Sequence, residues 1–179
     1  MHPLFHRLFV DFCTYYNGNQ DYFECHEVLE EYWKEIAPGD KNHPLVGYVQ
    51  LATGMYHWRR NNRMGAMKIL KKALNNFSIN QSSPFFDYIH YNQLYNDCEK
   101  SIAAIEKGYD FTSFKIEIQN AELAALVQKN ITELPTLPLN YLLNKHMLRD
   151  RSDILNERNK KLEERMVNSN NRKNKKRLT

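Results

Sequence analysis

Apolar residues recur at three- and four-residue spacing along most of the chain, the period of helices that bury one face. Leu4, Phe5, Leu8, Phe9, Phe12 and Tyr16 form the first such run, which Pro3 opens and Asn17-Gly18-Asn19 ends. Asp21 followed by Glu24 is a capping-box-like start for a second helix, closing near Ala37-Pro38-Gly39. Asn42 and Pro44 introduce a third that runs to Asn61-Asn62, and Ala66, Ile69, Leu70, Ala73 and Phe77 mark a fourth. Ser83-Pro84 predicts the opening of a long fifth helix with Tyr91, Leu94, Tyr95, Cys98, Ile102 and Ile105 on one face and Gly108 as its stop.

One extended stretch interrupts this pattern: YDFTSFKIEI, where Phe114, Ile116 and Ile118 alternate. Asn120 then caps a short helix, Pro135 and Pro138 form a hinge, and a polar helical segment follows. The final NSNNRKNKKRLT has nothing to bury and reads as disordered. The expected fold is all-α, a compact bundle of helical hairpins (1–134) with an extra C-terminal helix (135–167) and a disordered basic tail (168–179). Gly54, Ala66, Leu70 and Ala73 resemble the small-residue positions of a tetratricopeptide hairpin, and Val28-Leu29 faintly echoes Ile69-Leu70. The closing proline of that repeat is absent, so the expectation is hairpins and not a solenoid.

Composition sharpens the picture in three ways. The chain has 179 residues, enough for one domain with a core plus a tail, and its 6 Gly and 6 Pro argue against a loop-rich β fold. With 11 Tyr and 9 Phe, large rings should dominate that core. Cys13, Cys25 and Cys98 are few and scattered, which disfavours a disulfide framework or a thiolate zinc site. The N-terminal MHPLFHRLF is unlike a signal peptide, and no apolar run is long enough to span a bilayer, so the expected location is cytoplasmic with no membrane contact.

Candidate chemistry concentrates in YFECHEVLEEYWKEI, Tyr22 to Ile36. With His26 at zero on a wheel of about 100° per residue, Tyr32, Cys25, Ile36, Leu29, Tyr22 and Trp33 fall to one side. Glu30 and Phe23 fall just to the other. His26 and Glu30 therefore lie inside the large-apolar arc, Glu27 at its boundary, and Glu24, Glu31 and Glu35 on the solvated face. Residues four apart face the same way, so His26 and Glu30 can share a partner. Burying such a pair calls for one. On the third helix Gln50, Thr53 and His57 share a polar stripe with Gly54, and Arg59 and Arg60 lie close in sequence.

Three readings follow. The group is a hydrogen-bond network that fixes helix register, or the lining of a site that binds a small ligand or a protein without chemistry, or a metal site. HEVLE is superficially like the zinc motif HExxH, but its fifth residue is Glu30. A mixed set of His26, Glu30 and His57 would suit zinc, manganese or iron, with Glu27 as the base of a hydrolase. The leading expectation is a non-catalytic binding module with no cofactor, using His26, Glu27, Glu30, Trp33, Gln50 and His57. The metal-dependent hydrolase is the alternative.

FECHEVLEEYW, followed by GYVQLATGMYHWRRNNRMGAMKIL, resembles a bacterial and archaeal domain-of-unknown-function family, number three hundred and nine. Its pattern is His-Glu-x-x-Glu-x-x-Trp, then a Gln-containing helix and a Gly-Ala hairpin. His26, Glu27, Glu30, Trp33, Gln50, Gly65 and Ala66 match it position by position, and Asn61-Asn62 match the hairpin turn. The resemblance covers Phe9 to Leu74 and implies a small, closed helical bundle; it supplies no activity.

Charge separates the C-terminus from the rest. From Lys145 onward there are 12 Lys/Arg against 5 Asp/Glu, a surplus of seven, so the body carries −3 of the total +4. Arg172, Lys173, Lys175, Lys176 and Arg177 form a cluster suited to salt-sensitive phosphate contacts, which makes nucleic-acid association a further alternative. No aromatic residue interleaves them, so a stacking platform for single strands is absent.

Overall fold

Each of the first six α-helices starts on a side chain that accepts a backbone N–H otherwise left unpaired. In the computed structural model, which describes residues 1–148, these are α1 (Arg7–Asn17), α2 (Tyr22–Ile36), α3 (Pro44–Arg59), α4 (Arg63–Ile79), α5 (Tyr91–Glu106) and α6 (Ala121–Glu133). A seventh, α7 (Leu139–Leu148), follows Pro138. Asp21, Asn62 and Asn120 cap α2, α4 and α6 with carboxylate or amide oxygens at 2.9–3.1 Å. The remaining caps are imidazoles: Nδ1 of His6, His43 and His90 accepts from Leu8, Leu45 and Gln93 at 3.2–3.4 Å. An Nδ1 that accepts must be bare, which places the ring proton on Nε2.

The described residues hold no strand; Ile89 and Ile118 meet in a single antiparallel bridge, so the alternation in YDFTSFKIEI yields extended chain with no ladder. Two helix starts differ from expectation. Ser83-Pro84 begins one turn of 3-10 helix, Pro84–Phe86, and α5 starts only at Tyr91. The break is fixed by tertiary bonds: His90 N–H donates to Glu117 O at 2.9 Å while Phe85 and Phe86 are buried. Pro3 likewise opens a 3-10 turn, Pro3–Phe5, and extended backbone at His6 separates it from α1.

Helix α3 sits at the centre, packed most extensively on α4, then on α2, while α1 packs on α2 and α6. Its buried residues, among them Leu45, Tyr48, Leu51, Met55 and Trp58, point in nearly every direction. Tyr48 is the hub of the aromatic core, with Phe9, Phe12, Phe77 and Phe86 all 5.2–5.5 Å away between ring centres. Gly47 and Gly54, two turns apart, make the α3–α4 approach. A Cβ at 47 would lie 2.7 Å from Phe77 and one at 54 would lie 2.6 Å from Leu70. Asn61 takes the left-handed conformation (φ 60°) in the turn between the two helices, where asparagine is tolerated.

Cys13, Cys25 and Cys98 are free and buried. No described helix is long and apolar enough to cross a membrane. Residues Met1–Asn144 form one compact unit, and a second begins at Lys145. The basic cluster Arg172 to Arg177, and the extension beyond residue 148, lie outside the described residues.

Candidate functional site

Tyr22, Cys25, Leu29 and Tyr32 form the buried stripe of α2 at the three- and four-residue spacing of a single face. His26 and Glu30 each follow a stripe residue, so each is rotated about 100° from it. Their side chains remain 33% exposed, at the rim of the core and not within it. Glu27 is similarly placed, at 30%.

The three side chains converge. His26 Nδ1 lies 3.2 Å from Glu27 Oε1, and His26 Nε2 lies 3.7 Å from Glu30 Oε2. One ring nitrogen and one oxygen from each carboxylate fall within 4.8 Å of one another, the one such group of potential metal donors among the described residues. The other oxygen of Glu30 holds Lys34 Nζ at 2.7 Å. Pairs this exposed contribute at most about 1 kcal/mol each. Their net effect on the fold is small.

The remaining candidates are dispersed. Trp33 donates from Nε1 to Asp40 O at 2.8 Å, holding the α2–α3 loop against its helix. His57 contacts Asn62 Nδ2 through Nδ1 at 3.1 Å in the α3–α4 turn and does not join the α2 group. Burial, then the neighbouring Arg60, lowers its pKa. Thr53 donates back to Val49 O at 2.8 Å. Arg59 donates to Gln20 O at 2.6 Å and to Leu142 O, and its guanidinium lies 4.7 Å over the Tyr22 ring. It fastens the α1–α2 loop and α7 to α3. Arg60 lies over the Tyr56 ring at 5.5 Å.

Gln50 Oε1, like Arg59 Nε and the hydroxyls of Tyr16 and Tyr22, is buried without a hydrogen-bond partner among the described residues, an arrangement that costs about 1–3 kcal/mol when nothing fills the gap. Gln50 lines a cleft of about 380 Å³ with Lys41, Asn42, Lys71, Lys72 and Asn75. These lysines, and Lys34, escaped the sequence reading. Glu30 and Lys34 are four apart on one helix, so that pair was legible from spacing alone; the cleft joins residues from two helices and a loop and had no local signal.

Burial pushes the thiols of Cys13, Cys25 and Cys98 well above the ordinary range. Nucleophilic thiolate chemistry therefore has no support in this core.

Residues 9–69 match the model of a family described as a domain of unknown function, DUF309. Over 169 residues, covering 90% of this chain and 97% of the relative, the sequence is 30% identical to the uncharacterized protein YpuF of Bacillus subtilis (strain 168). No solved structure matches.

Proposed function

The chain belongs to the DUF309 family, and from that premise we propose that it is a non-catalytic binding module whose recognition point, His26, Glu27 and Glu30, takes a divalent cation. The observation that carries this reading is the convergence of one imidazole nitrogen and two carboxylate oxygens within 4.8 Å on a half-exposed helical face. One nitrogen and two hard oxygens suit zinc, manganese or iron. On binding, the three side chains draw inward and Lys34 leaves Glu30. Glu27 contacts His26 at 3.2 Å, which supports counting it as a donor and not as a separate base; binding is favoured over hydrolysis on that ground. The exposed side of the ion remains available to a ligand or protein carrying an anionic or nitrogen donor.

The test is equilibrium dialysis of the full chain against zinc, manganese and iron(II), with elemental analysis of the retained ion. One equivalent should be held by the wild type and lost in both His26→Ala and Glu30→Gln. Absence of uptake, together with lower melting temperatures in the two variants, would reduce the group to a packing network.

A further inference from the structure

Separately from the α2 group, we propose that the hollow between the end of α3, α5 and the extended segment at Phe114 binds a small primary amine, an alkylammonium with a short carbon chain. On α5, Asp97, Lys100, Ser101 and Ala104 stand three and four residues apart and share one helical face. Together with Trp58 and Phe114 they line a hollow of about 320 Å³, at the small-molecule end of binding sites.

Two kinds of surface meet there. Trp58 is almost wholly buried and its indole N–H is already spent on Tyr109 O at 3.3 Å, so what it offers a ligand is the apolar ring. Ala104 and the Phe114 ring extend that wall. Asp97 is the one acid in the lining. Its side chain is 14% exposed, mostly withdrawn from water but still within reach of a ligand. A carboxylate has about four acceptor positions, and burial raises the need to fill them. Oδ2 accepts from the neutral amide of Gln93 at 2.7 Å. Oδ1 meets Lys100 Nζ at 3.4 Å, a long contact from a side chain that is 74% exposed. The carboxylate therefore lacks a close counter-charge among the described residues.

An alkylammonium supplies both missing parts. Its ammonium takes Oδ1 of Asp97 in place of Lys100, and its carbon chain lies on Trp58, Ala104 and Phe114. Aromatic rings favour a cation over a neutral molecule of the same shape. Ser101 Oγ donates to Asp97 O at 2.8 Å, which leaves its lone pairs to accept a further ammonium N–H. An anion is repelled by Asp97, and a hydrated metal ion gains nothing from the apolar wall.

Titration of the full chain at low salt and pH 7 with butylammonium, followed by the indole N–H signals in nitrogen–proton spectra, tests this. The Trp58 signal should move and saturate with a Kd of about 1 mM while that of Trp33 stays, the two being assigned with Trp33→Phe. Butanol, of the same shape without the charge, should bind about tenfold more weakly. Asp97→Asn, which keeps the shape and an oxygen for Gln93, should weaken butylammonium by a similar factor. Ala104→Met, which fills the hollow from a partly exposed position and leaves Asp97 intact, should abolish binding without lowering the melting temperature. The proposal is overturned if butylammonium does not bind at about 10 mM, if butanol binds as well, or if Asp97→Asn binds as the wild type does. Should Asp97→Asn fail to fold, Ala104→Met decides alone: undiminished binding there would mean that the amine meets a surface carboxylate and not this hollow.

Discussion

Gly54 faces Leu70 across the α3–α4 contact so closely that a Cβ on the glycine would sit 2.6 Å from both Cγ and Cδ2 of the leucine. Leu70 is fully buried, and Cγ is the branch point of its side chain, so it has little room to move. Gly54→Ala should therefore destabilise the protein. Alanine gains about 1 kcal/mol in helix propensity, which offsets only part of an overpacking cost of about 1–3 kcal/mol. In a double-mutant cycle by chemical denaturation, Gly54→Ala with Leu70→Ala should cost less than the sum of the single changes.

The Tyr48 hydroxyl donates to Phe85 O at 2.9 Å inside the aromatic core. Tyr48→Phe keeps the ring contacts and leaves that oxygen unpaired, so it should cost about 1–3 kcal/mol. Thermal unfolding should show a drop of about 2–4 °C per kcal/mol.

Two histidines tie stability to pH. Burial lowers the pKa of His43 against the opposing pull of Asp40, and burial with Arg60 lowers that of His57. A base whose folded pKa lies below its unfolded value leaves the unfolded chain binding more protons, so stability rises with pH in that window. The contribution should be complete above the unfolded histidine value of about 6.5 and decline as pH falls below it. Protonation at His43 also removes the Nδ1 acceptor that caps α3. His43→Asn, which keeps a capping oxygen, should flatten the pH dependence of the denaturation midpoint between about pH 7 and 5.

Lys34 competes with any cation for Glu30, to which it lies at 2.7 Å. Lys34→Met should raise divalent-cation affinity severalfold, read by dialysis or calorimetry. An unchanged affinity would mean that Lys34 on Oε1 does not compete with a cation on Oε2, the oxygen that faces His26.

The three buried thiols should be silent toward an aromatic disulfide reagent in native buffer. All three should react once denaturant opens the core. Rapid native reaction of any one would contradict the packing of that side chain.

The helices, and the caps Asp21 and Asn120, were legible in the sequence because both are local. Periodicity of three and four names the buried face of α2, and Asp21 and Asn120 announce their helices by residue type; the imidazole caps His6, His43 and His90, and Asn62 at the start of α4, were not. The all-α class and the family pattern around His26, Glu27 and Glu30 follow from the same short-range information, as does the α3–α4 hairpin, whose small residues at Gly54 and Ala66 imply close contact. What tertiary structure alone decided depends on distance in space. The separation of Pro84–Phe86 from α5 is set by a bond between His90 and Glu117. The assignment of Arg59 to Gln20 and Leu142, and of His57 to Asn62, dispersed a polar stripe that spacing had grouped together. Gln50 became an unpaired acceptor in a lysine-lined cleft because α4 and the loop at Lys41 pack beside it. Periodicity tells which side of a helix is wet or dry; which groups meet across the gap is set by how the helices pack.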